Sequence, residues 1–535
     1  ANILMNAGLI SNVVPGEKLD VWNTLMYFSA QSEQAILEWE ETTIKNHDVY
    51  SLHVEEHLKT DNQSAQNFVI YRTDERPYTV YIGLISKAIE IRGYITSTVS
   101  TIRKMMAKNG ATNVLLDNFA SPSAAELAGL PEEFRNGTYK FEGWMVRTGT
   151  DRYELLDPGY TRVDIISNET TIDALWTTDH GHKICGEPNG HQCTDHTTDH
   201  PDETSWILAF RESVLHFYDD RAYILTEDIR LTRELIKPKD GYAICLNGHT
   251  LTKYYNGSLV SIDADDANDR SIYLYDCKGS GSIKVAPDER STAVPVFNIK
   301  GNATDKPYVY IKNITFDSIK YNGQSDGIIV NAENAKVDMK YLIVSTANTI
   351  TRSLYATVNS EVTLTGDTTN PMYTYNFYDA ANDTNHYAAP RGIMNFTGGS
   401  LTLDNISLVG NIVTTGKGLV YLQEATDSYI IENSIFSGNR SSVNDGGAGL
   451  YIKDVETLEV KDVSFTGNTS SYGAGIYIDD YVKREGYIEL NRTIFENNTA
   501  NTAGGAIYHI NKLVGNSIVL TLTDTYFVGN TAAGA

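Results

Sequence analysis

Short stretches of alternating apolar and polar residues recur through the C-terminal half of the chain, as in LEVKDVSF, YIELNRTIF and IVLTLTDTYF. A period of two, broken by turn residues, predicts short half-buried strands. The strands also come in copies. IFSGNRSSVNDGGAGLYI, SFTGNTSSYGAGIYI, IFENNTANTAGGAIYHI and YFVGNTAAGA align so that Phe436, Phe465, Phe495 and Phe527 fall 29, 30 and 32 residues apart. Each Phe is followed three residues later by Asn439, Asn468, Asn498 or Asn530, and Leu408 with Asn411 forms a weaker preceding copy. Strands this short bury their apolar face only by stacking on the next copy. In-register Phe would then stack inside, and in-register Asn would form a side-chain ladder at a turn. Gly446, Gly447, Gly504 and Gly505 are expected to supply backbone angles that residues with a Cβ resist. A unit of roughly 30 residues fits three strands of about five residues and three turns. The prediction is a mainly β chain ending in a right-handed parallel β-helix. An antiparallel sandwich also has short strands, but it need not repeat Phe-x-x-Asn on a fixed period.

The Phe-x-x-Asn and Gly-Gly-Ala-Ile pair resembles the repeats of the polymorphic outer membrane proteins, a family of β-helical surface adhesins and autotransporters. The resemblance covers residues 400–535, and it departs from the pattern at Gly473-Ala474-Gly475 and at Leu408. Upstream, YVYIKNITFDSIKYNGQSDGIIV, KVDMKYLIVSTANTI and SEVTLTGDTT keep the strand-turn grain. The stretch from Cys245 to His249 (CLNGH) resembles the first coils of β-helices in large surface proteins of gut bacteria. Residues 207–535 therefore read as one solenoid, with SWILAFRESVLHFYDD as a short amphipathic helix capping its start.

Residues 113–178 alternate strand, helix and strand, and Ser123 is placed to cap the helix. The run ending at Trp144 and the closing Ala174-Leu175-Trp176 resemble the β-grasp repeat of internalin-like surface proteins, which implies a small β-grasp spacer without a catalytic role. Residues 1–112 read as a small α+β or β domain, with strands in QNFVIYRTDERPYTVYIGL and AIEIRGYITST and a helix in TVSTIRKMMAKN. Both chain ends look cut, as if from a longer protein.

Composition narrows the partners. Lys and Arg number 43 against 68 Asp and Glu, a net charge of −25. Such a chain repels nucleic acid and anionic membrane surfaces, and no apolar run is long enough to insert in a membrane. The 34 Tyr suit strand filling or surface contact equally.

Candidate chemistry concentrates in residues 179–206, a Cys/His-rich linker. His182, Cys185, Cys193, His196 and His200 have the residue types and short spacing of a structural zinc site. Cys185 and Cys193 with His182 and His200 are the expected set, His196 competing, and a Cys185–Cys193 disulfide is the alternative. Cys245 and Cys277 lie about one coil apart and are expected on adjacent rungs, as buried thiols or bridged. Asp263, Asp265, Asp266 and Asp269 offer a weaker Ca²⁺ loop. Asp479 and Asp480 are adjacent on a strand, so they face opposite ways and are poorly placed as an acid–base pair. The expectation is a non-enzymatic adhesin or stalk, secreted or displayed at the cell surface, binding a protein or glycan of a host or neighbouring cell. A β-helix polysaccharide lyase or glycoside hydrolase is the alternative, since fold alone does not set function.

Overall fold

The computed structural model describes residues 37–44, 47–54, 67–72, 80–85, 87–95, 99–107, 114–115, 121–147, 153–156, 162–163, 171–179, 206–209, 222–232, 241–263, 271–286, 294–317, 327–344, 353–366, 392–413, 418–425, 427–442, 446–480, 485–511 and 518–534. The chain divides into two units, residues 1–178 and 179–535.

In the first unit, β1 (Leu37–Ile44), β2 (His47–Val54), β3 (Asn67–Arg72) and β4 (Val80–Ile85) form an antiparallel sheet in chain order. Then come β5 (Lys87–Ile95), β6 (Val99–Ala107), β7 (Val114–Leu115), α1 (Ala124–Leu127) and α2 (Glu132–Arg135). The unit closes with β8 (Lys140–Arg147), β9 (Tyr153–Leu156), β10 (Arg162–Val163) and β11 (Thr171–Thr178). A mixed sheet runs β6-β5-β11-β8-β9, with β11 parallel to β5 and antiparallel to β8. The segment TVSTIRKMMAKN, expected as helix, supplies β6 instead, paired from Lys87↔Ala107 to Ile95↔Val99. Its β-branched Val99, Thr101 and Ile102 suit a strand, and the pairing partner overrides helix propensity. Residues 87–107 thus share a sheet with 140–178, across the expected domain border at 112. Ser123 caps α1 as expected, in a capping box with Glu126. Phe134, Phe141, Trp144 and Trp176 pack edge to face in the core, and Trp144 is fully buried.

The second unit is a parallel β-helix, wound with the right-handed crossover that parallel strands adopt. Its longest face starts at Trp206–Ala209 and stacks twelve parallel strands among the described residues, ending at Ile518–Thr523. Trp206–Ala209 corrects the expected helical cap: four consecutive buried residues pair with Ala222–Leu225 as a first rung. Residues 210–221 of that segment lie outside the described ones. Buried side chains alternate with more exposed ones along strands such as Lys336–Lys340, Glu361–Thr365 and Ser400–Asp404. Ile311, Met339, Leu364, Leu403, Ile431, Val460 and Leu490 form one in-register, fully buried column.

Each C-terminal coil has four strand segments, where three were expected. One coil runs Thr457–Lys461, Ser464–Thr466, Thr469–Tyr472 and Ile476–Asp480. Single left-handed residues make its corners: Asp462 at φ 54°, Gly467 at φ 64° and Gly473 at φ 52°. One such residue turns the chain, so no long turn is needed and space remains for a fourth segment. Of the four glycines expected to need special angles, Gly504 alone is left-handed, at φ 68°. Gly447 and Gly505 are required by close approach instead. A Cβ on Gly447 would meet the Leu450 carbonyl at 2.7 Å, and one on Gly505 would strike the Thr531 carbonyl.

The Phe column forms as the spacing requires. Phe436, Phe465, Phe495 and Phe527 stack at ring separations of 4.9, 5.0 and 5.0 Å, the first three fully buried. Beside it runs the Asn ladder. The side-chain N–H of Asn411, Asn439, Asn468 and Asn498 each donates to the Oδ1 of the next Asn, ending at Asn530, at 2.9–3.0 Å. The same Nδ2 of Asn439, Asn468, Asn498 and Asn530 also donates to the carbonyl of Leu408, Phe436, Phe465 or Phe495 one coil back. Four buried amides are thereby satisfied inside a wall that water does not enter.

The first coils are tied differently. Asp276 is fully buried and accepts the N–H groups of Gly248, Ser280 and Gly281. Asn247 of the CLNGH stretch donates to the Leu225 carbonyl, and Asp228 accepts the Thr250 N–H. Cys245 and Cys277 are thiols outside any disulfide, the first buried and the second half-buried. Cys245 pairs in register with Tyr275, so Cys277 lies two residues beyond its rung rather than on it.

Candidate functional site: a tyrosine column with an acidic partner

The last described coils carry a second aromatic column that the repeat pattern does not announce. Val420–Gln423, Leu450–Lys453, Ile476–Asp480 and Ile507–Asn511 are neighbouring parallel strands. Their register aligns Tyr421, Tyr451, Tyr477 and Tyr508. On each strand the flanking residues, such as Leu450 and Ile452, take the opposite face, as alternation demands. The rings sit 5.2, 4.8 and 5.3 Å apart, those of Tyr451 and Tyr477 stacked nearly parallel at 7°. Tyr472, from the neighbouring face, adds a fifth ring 4.8 Å from Tyr508.

Glycines make room for this column. A Cβ on Gly418 would lie 3.1 Å from the Tyr451 Cβ, one on Gly447 3.2 Å from that of Tyr477, and one on Gly504 2.8 Å from that of Tyr508. The signal is a Gly a few residues before each Tyr, as in GAGLY, GAGIY and GGAIY.

One charged group enters the column. The Tyr451 hydroxyl donates to Asp479 Oδ2 at 2.6 Å, with both residues buried. Burial, and then the hydrogen bond to the Asp479 carboxylate, push the Tyr451 phenol far above its ordinary pKa. Asp480 faces the other way. Its Oδ2 accepts the Ile518 N–H at 2.9 Å and lies 3.9 Å from His509 Nε2. Adjacent on one strand, the two carboxylates serve different walls, as expected: one holds a phenol, the other the backbone of the next coil. The arrangement locks packing and does not bring two acids to one point, as glycoside hydrolysis requires.

A polar aromatic group lies on the longest face, further toward the N-terminus of the unit. Tyr308 and Tyr310 each approach Tyr273, at 5.8 and 6.1 Å. Tyr308 donates to Asp338 at 3.4 Å, and burial followed by the Asp338 charge raises its phenol. Lys340 lies 3.6 Å from Asp338 and over the Tyr310 ring, while Lys312 lies over Tyr341. Half-buried Tyr308, Lys312, Lys340 and Tyr341 present cation–π and hydrogen-bonding chemistry together.

The expected zinc ligands His182, Cys185, Cys193, His196 and His200 lie outside the described residues, as do Asp265, Asp266 and Asp269 of the Ca²⁺ loop. Asp263 is exposed. Among the described residues no group of three or more His, Cys, Asp or Glu gathers as a metal site. No described helix is long and apolar enough to cross a membrane.

Residues 462–479 and 492–509 match the Chlamydia polymorphic membrane protein repeat. These spans start at the corners Asp462 and Arg492 and take in Phe465, Asn468 and Tyr477, then Phe495, Asn498 and Tyr508. A probable autotransporter of Escherichia coli (strain K12), YfaL, is 36% identical over 126 residues, which is 22% of this chain and 9% of that protein. No solved structure matches the chain. Both similarities point to a protein of the outer membrane or cell surface.

Proposed function

We propose that this chain is part of the exposed passenger of an autotransporter-like surface protein, a non-enzymatic adhesin or stalk that displays binding loops on a stiff β-helix. The observation that carries the reading is where the repeat match falls. The residues that the repeat specifies are Phe465, Asn468, Tyr477 and their copies, and each is engaged with its counterpart on the next coil. Such a repeat encodes stacking, which suits a scaffold whose variable loops meet the partner.

The contact surface we assign is the half-buried Tyr308, Lys312, Lys340 and Tyr341 group, whose aromatic faces and ammonium groups suit a glycan or an acidic protein surface. The sheet order of residues 87–178, with the last strand parallel to the first and central, supports reading that module as a β-grasp spacer. A glycan array and a host-cell binding assay test the proposal: saturable binding that Tyr341→Ala with Lys312→Ala weakens severalfold supports it. Release of reducing ends or unsaturated sugars from polysaccharides, abolished by one point substitution, would favour the lyase or hydrolase alternative.

A further inference from the structure

The first coils hold two thiols whose neighbours aim them at each other. Cys245 ends the strand Gly241–Cys245 and is fully buried. Cys277 follows the next strand of the same face, Ser271–Tyr275, and is half-buried. The backbone between them is pinned from both sides. The Leu246 N–H donates to the Tyr275 carbonyl at 2.8 Å, and the Gly248 N–H donates to Asp276. The Cys277 thiol lies 3.6 Å from Asn247 Oδ1 and is in hydrogen-bonding contact with the Cys245 thiol. Asp276, held by three backbone N–H groups, fixes the turn on which Cys277 rides.

We propose that Cys245 and Cys277 form a redox staple, a disulfide that closes between two successive coils once the chain meets an oxidising compartment. The inference rests on the surface reading only for the source of oxidant, which is a low-molecular-weight disulfide or a thiol–disulfide oxidoreductase. The order of events follows from exposure. The Cys277 thiol is the accessible one, so its thiolate attacks the external disulfide, forms a mixed disulfide and expels one thiolate. Contact with Cys277 and burial hold the Cys245 thiol far above its ordinary pKa, so it is a poor first nucleophile. It acts second: it gives its proton to solvent, attacks the Cys277 sulfur and expels the remaining thiol of the oxidant. Two protein thiols are oxidised and one external disulfide is reduced to two thiols. The bridge would lock the coil that bears Asn247 to the next one, which bears Asp276, near the start of the solenoid, where end coils otherwise open first.

The test supplies its own oxidant, so failure of the surface reading leaves it intact. The chain carrying Cys185→Ser and Cys193→Ser keeps only Cys245 and Cys277. It is incubated folded in a mixture of oxidised and reduced glutathione, then digested without reduction. A peptide joining Cys245 to Cys277 is expected, and cleavage of residues 241–286 by protease should slow about tenfold or more on oxidation. Adding Cys277→Ser should abolish the oxidation-dependent slowing while leaving the reduced protein's cleavage rate unchanged, which separates the bridge from any packing defect. Free thiols, or an unresolved glutathione adduct on Cys277 in the folded chain, would overturn the proposal.

Discussion

Removing one amide from the middle of the Asn ladder should cost far more than removing one at its exposed end. Asn468 is fully buried and makes four side-chain hydrogen bonds. Its Oδ1 accepts from the Asn439 backbone N–H and from Asn439 Nδ2, both at 3.0 Å. Its Nδ2 donates to Asn498 Oδ1 at 2.9 Å and to the Phe436 carbonyl at 2.8 Å. In Asn468→Ala, Asn498 Oδ1 keeps the Asn468 backbone N–H, and Asn439 Nδ2 keeps the Leu408 carbonyl. The Asn439 backbone N–H and the Phe436 carbonyl lose these partners where water does not reach. At about 1–3 kcal/mol for each of the two stranded buried groups, the expected loss is about 2–6 kcal/mol. Asn530→Ala is the comparison, because Asn530 is half-buried and water can replace its partners; about 1 kcal/mol or less is expected there. Urea unfolding of both variants gives the two figures, and hydrogen exchange at the Asn439 amide reports the local effect directly. Equal losses would refute the dependence on burial, and Asn468→Ala costing under about 1 kcal/mol with Asn439 still protected would show that the ladder contributes nothing beyond the strands it joins.

Phe465→Ala should cost about 3–5 kcal/mol by calorimetry or denaturant titration, and Phe527→Ala much less, since Phe527 is 46% exposed. Tyr451→Phe removes the 2.6 Å hydrogen bond to the buried Asp479 carboxylate, and a loss of about 1.5–3 kcal/mol in the same titration is expected. Glu361 titrates with a sign that can be checked: burial raises its pKa, but hydrogen bonds and charges from Lys306 and Lys336 outweigh that and lower it. A lowered folded pKa means stability that is present above the unfolded carboxylate's pKa and is lost as pH falls through the folded value. Glu361→Gln should therefore lower stability slightly at neutral pH, leave strongly acid pH little changed, and so flatten the acid side of the stability profile. For the linker, metal analysis of purified protein should find about one zinc per chain, lost with Cys185→Ser, while a Cys185–Cys193 bridge by mass spectrometry would exclude it.

The solenoid was legible because its repeat rests on residue types that mean one thing. A Phe with an Asn three residues later, on a near-constant period, leaves few options but stacking, and Phe436 to Phe527 stack. The strand count per coil was not legible, because corners depend on single left-handed residues of no fixed type. Asp462, Arg492 and Tyr341 all turn the chain at positive φ, and nothing in Arg or Tyr announces it. The tyrosine column escaped for a related reason. Tyr421, Tyr451, Tyr477 and Tyr508 are spaced 30, 26 and 31 residues apart, so loops of changing length blur a period that the glycines before them would have restored. The strand at Val99–Ala107 was hidden because a charged, Met-rich segment takes its conformation from the partner beside it.

The amide-to-amide hydrogen bonds of the Asn ladder all run one way: each side chain donates to the Asn of the coil after it, while the same nitrogen also returns to a carbonyl of the coil before it. A coil therefore presents an acceptor to its N-terminal neighbour and a donor to its C-terminal neighbour, and any further copy of the unit can dock by the same rule. Duplication or loss of one repeat in the gene changes the reach of the molecule by one inter-strand spacing, about 4.8 Å, without a new interface having to evolve. Copy number then works as a ruler that recombination can reset in a single event, while the loops between the strands are left to diverge on their own schedule.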